Sequence, residues 1–188
     1  MAYLPARSNA KPMQALIVSA DGFEDSELRI PLLGLKKEGI AVDVASIRQG
    51  RIRGKHGYEI EVDRRLEEIR SEDYDLLVLP GGHAPAMLRK QGAALEIART
   101  FMAANKLVAA ICHGPQILVS AGVMRGRRAT CFHAVADELR DAGALYEDRE
   151  VVIDGNLITA RHPADLPAFM RETIKRIRAP ARAGAARS

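Results

Sequence analysis

The residue types able to do chemistry fall at the ends of short apolar runs. Cys112-His113-Gly114-Pro115 follows Leu107–Ile111, Pro80-Gly81-Gly82-His83 follows Asp75–Leu79, and Asp21-Gly22-Phe23-Glu24 follows Gln14–Ser19. A cysteine between a buried strand and a helix is suited to nucleophilic chemistry. A tight strand-to-helix turn strains its central residue and lifts that side chain out of the sheet. Gly114 leaves room for the backbone, and Pro115 suits the first turn of a helix. The thiol then lies near exposed N–H groups that favour the thiolate. The plain alternative is a small buried hydrophobe, which leaves His-Gly-Pro unaccounted for. His113 is the natural base or hydrogen-bond partner, provided the turn is sharp enough for adjacent side chains to meet. Gly81 and Gly82 lack Cβ atoms, so a backbone N–H there can approach a substrate oxygen closely. With the N–H that follows the nucleophile it would form an oxyanion hole. Glu24 stands where a helix begins. It is either a first-turn acid favoured by the helix dipole or a carboxylic acid that hydrogen-bonds the Cys112 sulfur and is kept protonated by burial.

Other combinations carry less. Cys131-Phe132-His133 has no second ligand pair at zinc spacing, so no metal site is expected. Lys55-His56-Gly57 reads as a loop. No glycine-rich phosphate loop follows any strand, so no nucleotide cofactor is expected. The net charge is +4, but Arg178, Arg182 and Arg187 lie in a tail without apolar periodicity. No basic face is interleaved with aromatics, so nucleic acid is not an expected partner. Two cysteines make no disulfide framework. No apolar run reaches the ~18 residues of a membrane span, and the first ten residues lack the apolar stretch of a signal peptide. A cytoplasmic protein with reduced thiols is the expectation.

These loops need a frame that brings them together. Of the 188 residues 47% are hydrophobic but only 4% aromatic, which calls for an aliphatic core in one domain. Short β-branched runs alternate with longer amphipathic ones. Strands are predicted over residues 14–19, 41–47, 75–79, 107–111, 129–132, 151–154 and 157–160, the last two as a hairpin about Asp154-Gly155-Asn156. Helices are predicted over 24–38, kinked or started late by Pro31, and over 64–69, 86–105, 115–121 and 164–177. Residues 48–63 are irregular, with room for a hairpin. The alternation predicts a mainly parallel sheet between two helix layers. In such sheets ligands bind beyond the carboxyl ends of the strands, where all three loops would meet. Residues 13–178 form the domain; 1–12 and 179–188 read as tails.

Several runs, in order, resemble the PfpI/ThiJ family: Gly22-Phe23-Glu24-Asp25, Gly54-Lys55-His56-Gly57-Tyr58, Leu79-Pro80-Gly81-Gly82-His83-Ala84-Pro85, Ile111-Cys112-His113-Gly114-Pro115-Gln116 and Pro163-Ala164-Asp165-Leu166. The resemblance implies a flavodoxin-like α/β/α sandwich related to class I glutamine amidotransferase domains. It implies Cys112 as nucleophile, His113 as its neighbour, Glu24 as the acid touching the sulfur, and an oxyanion hole at the Gly82 and His113 N–H groups. It also implies a homodimer or larger homo-oligomer with the site near the interface. Family members are described as cysteine peptidases, as glyoxalase or deglycase enzymes, and as stress proteins. There are two departures. Ala86 stands where relatives carry an acid that orients the histidine, and Phe132 stands where they often place Tyr.

Alanine cannot accept a hydrogen bond from imidazole, so a peptidase loses support. A thiol adding to an already activated aldehyde needs less help. The leading expectation is a thiol-dependent hydrolase or hydratase for glyoxal-type aldehydes or glycated adducts. The alternatives are an intracellular cysteine peptidase and a redox-responsive stress protein in which Cys112 oxidises.

Overall fold

The computed structural model describes residues 11–179. The remainder of the expected tails, 1–10 and 180–188, lies outside the described residues. The strands are β1 (Gln14–Val18), β2 (Ala41–Ser46), β3 (Gly50–Arg53), β4 (Glu59–Val62), β5 (Arg64–Arg65), β6 (Leu76–Leu79), β7 (Leu107–Ile111), β8 (Arg128–Ala129), β9 (Leu145–Tyr146), β10 (Val151–Asp154) and β11 (Leu157–Ala160). The α-helices are α1 (Asp25–Lys37), α2 (Ala84–Leu88), α3 (Gly92–Ala103), α4 (Pro115–Ser120), α5 (Ala136–Asp141) and α6 (Leu166–Arg178).

Seven strands form the main sheet in the order β10-β11-β7-β6-β1-β2-β5. All neighbours are parallel except β10, which closes an antiparallel hairpin with β11. This is the flavodoxin-like arrangement. The central strands are apolar without alternation because both faces are covered: Leu76, Leu77, Val78 and Leu79 are all buried, as are Val108, Ala109, Ala110 and Ile111. Helix α1 packs against α6, while α2, α3 and α5 gather about α4.

The strand order reverses between β1 and β6, the switch point at which such sheets bind ligands beyond their carboxyl ends. A single antiparallel bridge, Phe23 to Gly82, crosses it. The β3–β4 hairpin forms its own two-stranded sheet and leans over the same edge, with Gly22 N–H donating to Arg53 O at 2.8 Å.

Several local expectations change. Residues 86–105 are not one helix: the chain breaks over residues 89–91, Gln91 is extended, and Gly92 opens α3. Residues 64–69 split into edge strand β5 and a 3₁₀ turn over Leu66–Glu68. Of the predicted strand 129–132 only Ala129 is strand, as the end of β8, which pairs with β9 outside the main sheet. Helix α5 and strand β9 had no counterpart in the sequence reading; six and two residues are too short to show a period. Helix α1 runs unbroken through Pro31.

The close packing of β6 on the β7–α4 turn is the tightest constraint near the site. A Cβ on Gly114 would lie 2.1 Å from Leu79 O and 2.9 Å from Ile111 O, both immovable backbone. Gly114 has ordinary helical angles (φ −51°, ψ −40°), so the demand is for space and not for an unusual φ. Gly114→Ala is expected to cost at least about 3 kcal/mol. Urea denaturation of the variant measures this; a loss below about 1 kcal/mol would contradict the packing described.

Candidate active site

Cys112 ends β7 with φ 63°, in the left-handed region that non-glycine residues rarely enter. The strain is held by bonds on both sides. Cys112 N–H donates to Ala160 O on β11 at 3.0 Å, and Cys112 O accepts from Phe132 N–H at 3.0 Å. Gly114 N–H returns to Ile111 O at 2.8 Å, tightening the turn into α4. The side chain is turned out of the sheet yet stays 7% exposed.

Three kinds of group meet the sulfur. His113 Nδ1 lies 3.2 Å from Sγ, so the elbow is sharp enough for adjacent side chains to touch. The backbone N–H groups of Gly82 and His113 reach the sulfur from two sides. The third is a carboxyl group, and it belongs to Glu27. Glu27 is fully buried and accepts the Gly81 N–H at 2.7 Å through Oε2. A Cβ on Gly81 would sit 2.6 Å from that oxygen and 2.8 Å from Cys112 Cβ, so only glycine lets acid and nucleophile meet. The other oxygen, Oε1, is buried without a nitrogen or oxygen partner. That suits a protonated acid lying beside a thiol.

The expectation that Glu24 touches the sulfur is therefore corrected. Helix α1 starts at Asp25, which leaves Glu24 outside it as an extended N-cap. Its carboxylate turns toward the β3–β4 hairpin, 3.1 Å from Lys55 Nζ and 3.4 Å from His56 Nε2. Glu27 lies one turn further on, in register with buried Pro31 and Leu35 at four-residue spacing. A carboxylate at the head of a helix's apolar stripe is the signal available in the sequence.

Electrostatics separates the two acids. Burial raises the Glu27 pKa to about 8, against the Gly81 hydrogen bond, so the group is neutral at pH 7. Burial pushes the Cys112 thiol up as well, and a charge on Glu27 would add to this; the Gly82 and His113 N–H groups oppose it. Burial lowers His113, and electrostatic interaction with His83 and Lys55 adds to this. A neutral imidazole thus faces a neutral thiol, which is the resting state of a general base.

Ala86 sits exposed on α2, and no acid comes from that position. The Phe132 ring stacks on His113 instead, with centroids 5.0 Å apart and 27° between planes. Glu138 raises the His113 pKa through its charge, but its oxygens are occupied by Arg89 and by Gln116 at 2.9 Å. Cys131 is buried, its thiol pushed up to about 12 by burial, and it takes no part in the constellation around Cys112. Among the described residues no group of three His, Cys, Asp or Glu side chains could hold a metal ion, and no described helix is long and apolar enough to cross a membrane.

A strained cysteine elbow facing a buried acid is where this chain meets known proteins. The model of the DJ-1/PfpI family matches residues 13–176. The chain belongs to the DJ-1/PfpI family. It is 50% identical to Deglycase TK1284 of Thermococcus kodakarensis over 166 residues, 88% of this chain and 100% of that protein. It is likewise 50% identical to Deglycase PfpI of Pyrococcus furiosus, over 87% of this chain and 98% of that one. A solved two-domain protein from Anabaena variabilis, with DJ-1/ThiJ/PfpI-like and ferritin-like domains, superposes with a TM-score of 0.87 at 37% identity. The match covers 88% of this chain and 48% of that protein.

The raised pKa of Glu27 has a consequence for the stability of this family member. The folded chain holds a proton on Glu27 that the unfolded chain, with a pKa near 4.5, gives up. Stability therefore declines as pH rises from about 4.5 to about 8. The contribution is on the order of 4 kcal/mol at the upper end. Glu27→Gln keeps the shape and removes the ionisation. Its denaturation midpoint is expected to match wild type near pH 4 and to exceed it by several degrees at pH 8. Parallel melting curves at the two pH values would show otherwise if the Glu27 carboxyl were ionised in the folded state.

Proposed function

We propose that this protein is a thiol-dependent deglycase or glyoxalase-type enzyme acting on 2-oxoaldehydes or the adducts they leave on amines and thiols. Support comes from the relatives named as deglycases and, above all, from one observation. The Cys112 sulfur has a neutral base at 3.2 Å, two backbone donors and a protonated acid around it, while among the described residues no acid is bound to the far side of the base.

The chemistry follows from that arrangement. His113 Nδ1 takes the thiol proton as Sγ attacks the aldehydic carbon, forming a C–S bond. The developing oxyanion is met by the Gly82 and His113 N–H groups and protonated to a hemithioacetal, with Glu27 as the nearest neutral acid. Transfer of the C1 hydrogen to C2 through a base gives a 2-hydroxyacyl thioester. Water then cleaves it to a 2-hydroxy acid and the free thiol. With an adduct as substrate, the amine or thiol that carried it leaves as the bond to Cys112 replaces it. Only water is consumed overall.

Ala86 favours this reading over a peptidase. Expelling an amine from an amide requires a well-oriented imidazolium, and without an acid partner the ring is fixed only by Phe132 and the sulfur. Two buried, unpaired thiols support placement in a reducing compartment such as the cytoplasm. A homo-oligomer stays part of the proposal, with exposed Met87 beside Ala86 as a candidate contact.

Conversion of methylglyoxal to lactate tests the reading. Cys112→Ala is expected to abolish turnover, and Glu27→Leu to slow it about 10²-fold. Wild type and Cys112→Ala that turn over equally, or a wild type inert to methylglyoxal and to a phosphorylated 2-oxoaldehyde alike, would overturn it.

A further inference from the structure

The β3–β4 hairpin is fastened to the Cys112 edge at its very tip. Lys55 N–H donates to Phe23 O at 2.9 Å. Asp25 accepts two more N–H groups, from His56 at 3.0 Å and Tyr58 at 2.8 Å. A Cβ on Gly54 would fall 2.0 Å from Asp25 Oδ1 and 2.9 Å from the Phe23 ring. The tip is thereby held in one place, and the group it presents there is the Lys55 ammonium.

That ammonium lies 3.1 Å from Glu24 Oε2. Glu24 N–H donates to Gly81 O at 3.2 Å, and Gly81 is the residue wedged against Cys112 Cβ and His113 N. Lys55 is thus two residues removed from the nucleophile, and its charge is felt on both sides of it, at Glu27 and at His113. An ammonium has three N–H donors, of which Glu24 takes one. The Lys55 side chain is 35% exposed, so the others are open to solvent and to a molecule bound at this edge. Glu27 is neutral, Glu24 is already met by both Lys55 and His56, and Asp25 is met by the His56 and Tyr58 N–H groups. An incoming anion therefore meets no uncompensated negative charge. The oxyanion itself is served by the Gly82 and His113 N–H groups, which leaves the Lys55 donors for another part of the substrate.

We propose that Lys55 is a specificity-determining residue whose free donors bind an anionic substituent, carboxylate or phosphate, of the molecule whose aldehydic carbon meets Cys112. The substrate class is then a negatively charged 2-oxoaldehyde or an adduct on a negatively charged carrier. This rests on the aldehyde chemistry proposed above, but its test does not.

The test is alkylation of Cys112 in the full chain by iodoacetate and by iodoacetamide, which differ in charge and attack the same sulfur. A change in thiol ionisation moves both rates together and cancels in their ratio. In Lys55→Met the iodoacetate-to-iodoacetamide ratio is expected to fall about three- to tenfold, and in Lys55→Arg to stay near wild type. Raising the salt concentration from 10 mM to 500 mM is expected to lower the ratio in unmodified protein, which needs no variant to fold. A ratio unmoved by Lys55→Met, or by salt in wild type, overturns the proposal. A phosphorylated 2-oxoaldehyde compared with methylglyoxal then reads the same preference in kcat/KM. A protein inert to both aldehydes but with a Lys55-dependent alkylation ratio would refute the enzyme reading and leave the anion site standing.

Discussion

The left-handed backbone at Cys112 is the constraint from which the site follows. At φ 63° the residue stays strained unless its surroundings leave no alternative. Strand β7 lies between β6 and β11, and both neighbours act at this residue. Ala160 O on β11 takes its N–H, and Leu79 O on β6 lies so near Gly114 that a Cβ there would fall 2.1 Å from it. Phe132 N–H closes the remaining carbonyl and brings with it the ring that stacks on His113. The bonds that fix the backbone thus also place the base. The sheet stores strain at the point where the sulfur must leave it and meet a substrate.

The second dependence is on Gly81. Its missing side chain lets Glu27 approach from α1 and Cys112 from β7 until they are neighbours. Burial, not residue type, then sets the work each acid can do. Glu27 and Glu24 are three residues apart on the same element boundary. One is sealed in and keeps its proton beside the thiol. The other, at the mouth, meets a lysine and a histidine from the hairpin. Exchanging the two environments would exchange the two roles.

This explains what could and could not be read from the amino-acid sequence. The four strands β1, β6, β7 and β11 are legible because burial on both faces leaves nearly unbroken apolar runs, and the Cys112 elbow is legible because His-Gly-Pro has no other reason to follow such a run. Residues 86–105 looked like one helix because their composition is helical throughout; the break over residues 89–91 belongs to how α2 and α3 dock, and only Gly92 hinted at it. The residues alone leave the role of Glu24 open, and it is the family resemblance that points to Glu24 as the acid. The three-residue difference turns on where α1 begins, and helix starts are the part of a sequence pattern most easily shifted. The apolar stripe through Pro31 and Leu35 pointed to Glu27, since a buried face does not carry a carboxylate without a use for it.

The position left empty at Ala86 bears on the kind of reaction the site can support. A histidine that must protonate a poor leaving group needs a partner to stabilise its charged form. Here the surroundings do the opposite: burial, His83 and Lys55 all favour the neutral ring, and Glu138, the acid whose charge reaches it, is held by Arg89 and Gln116. A ring kept neutral is a poor acid but a ready base. Taking the proton of a thiol 3.2 Å away is the one step it is placed for, and the acid's part passes to Glu27, whose proton is retained up to about pH 8. Base and acid are thus divided between a histidine that does not hold a proton and a glutamate that does. That division suits addition to a carbonyl, where one proton leaves the sulfur and another must reach the oxygen.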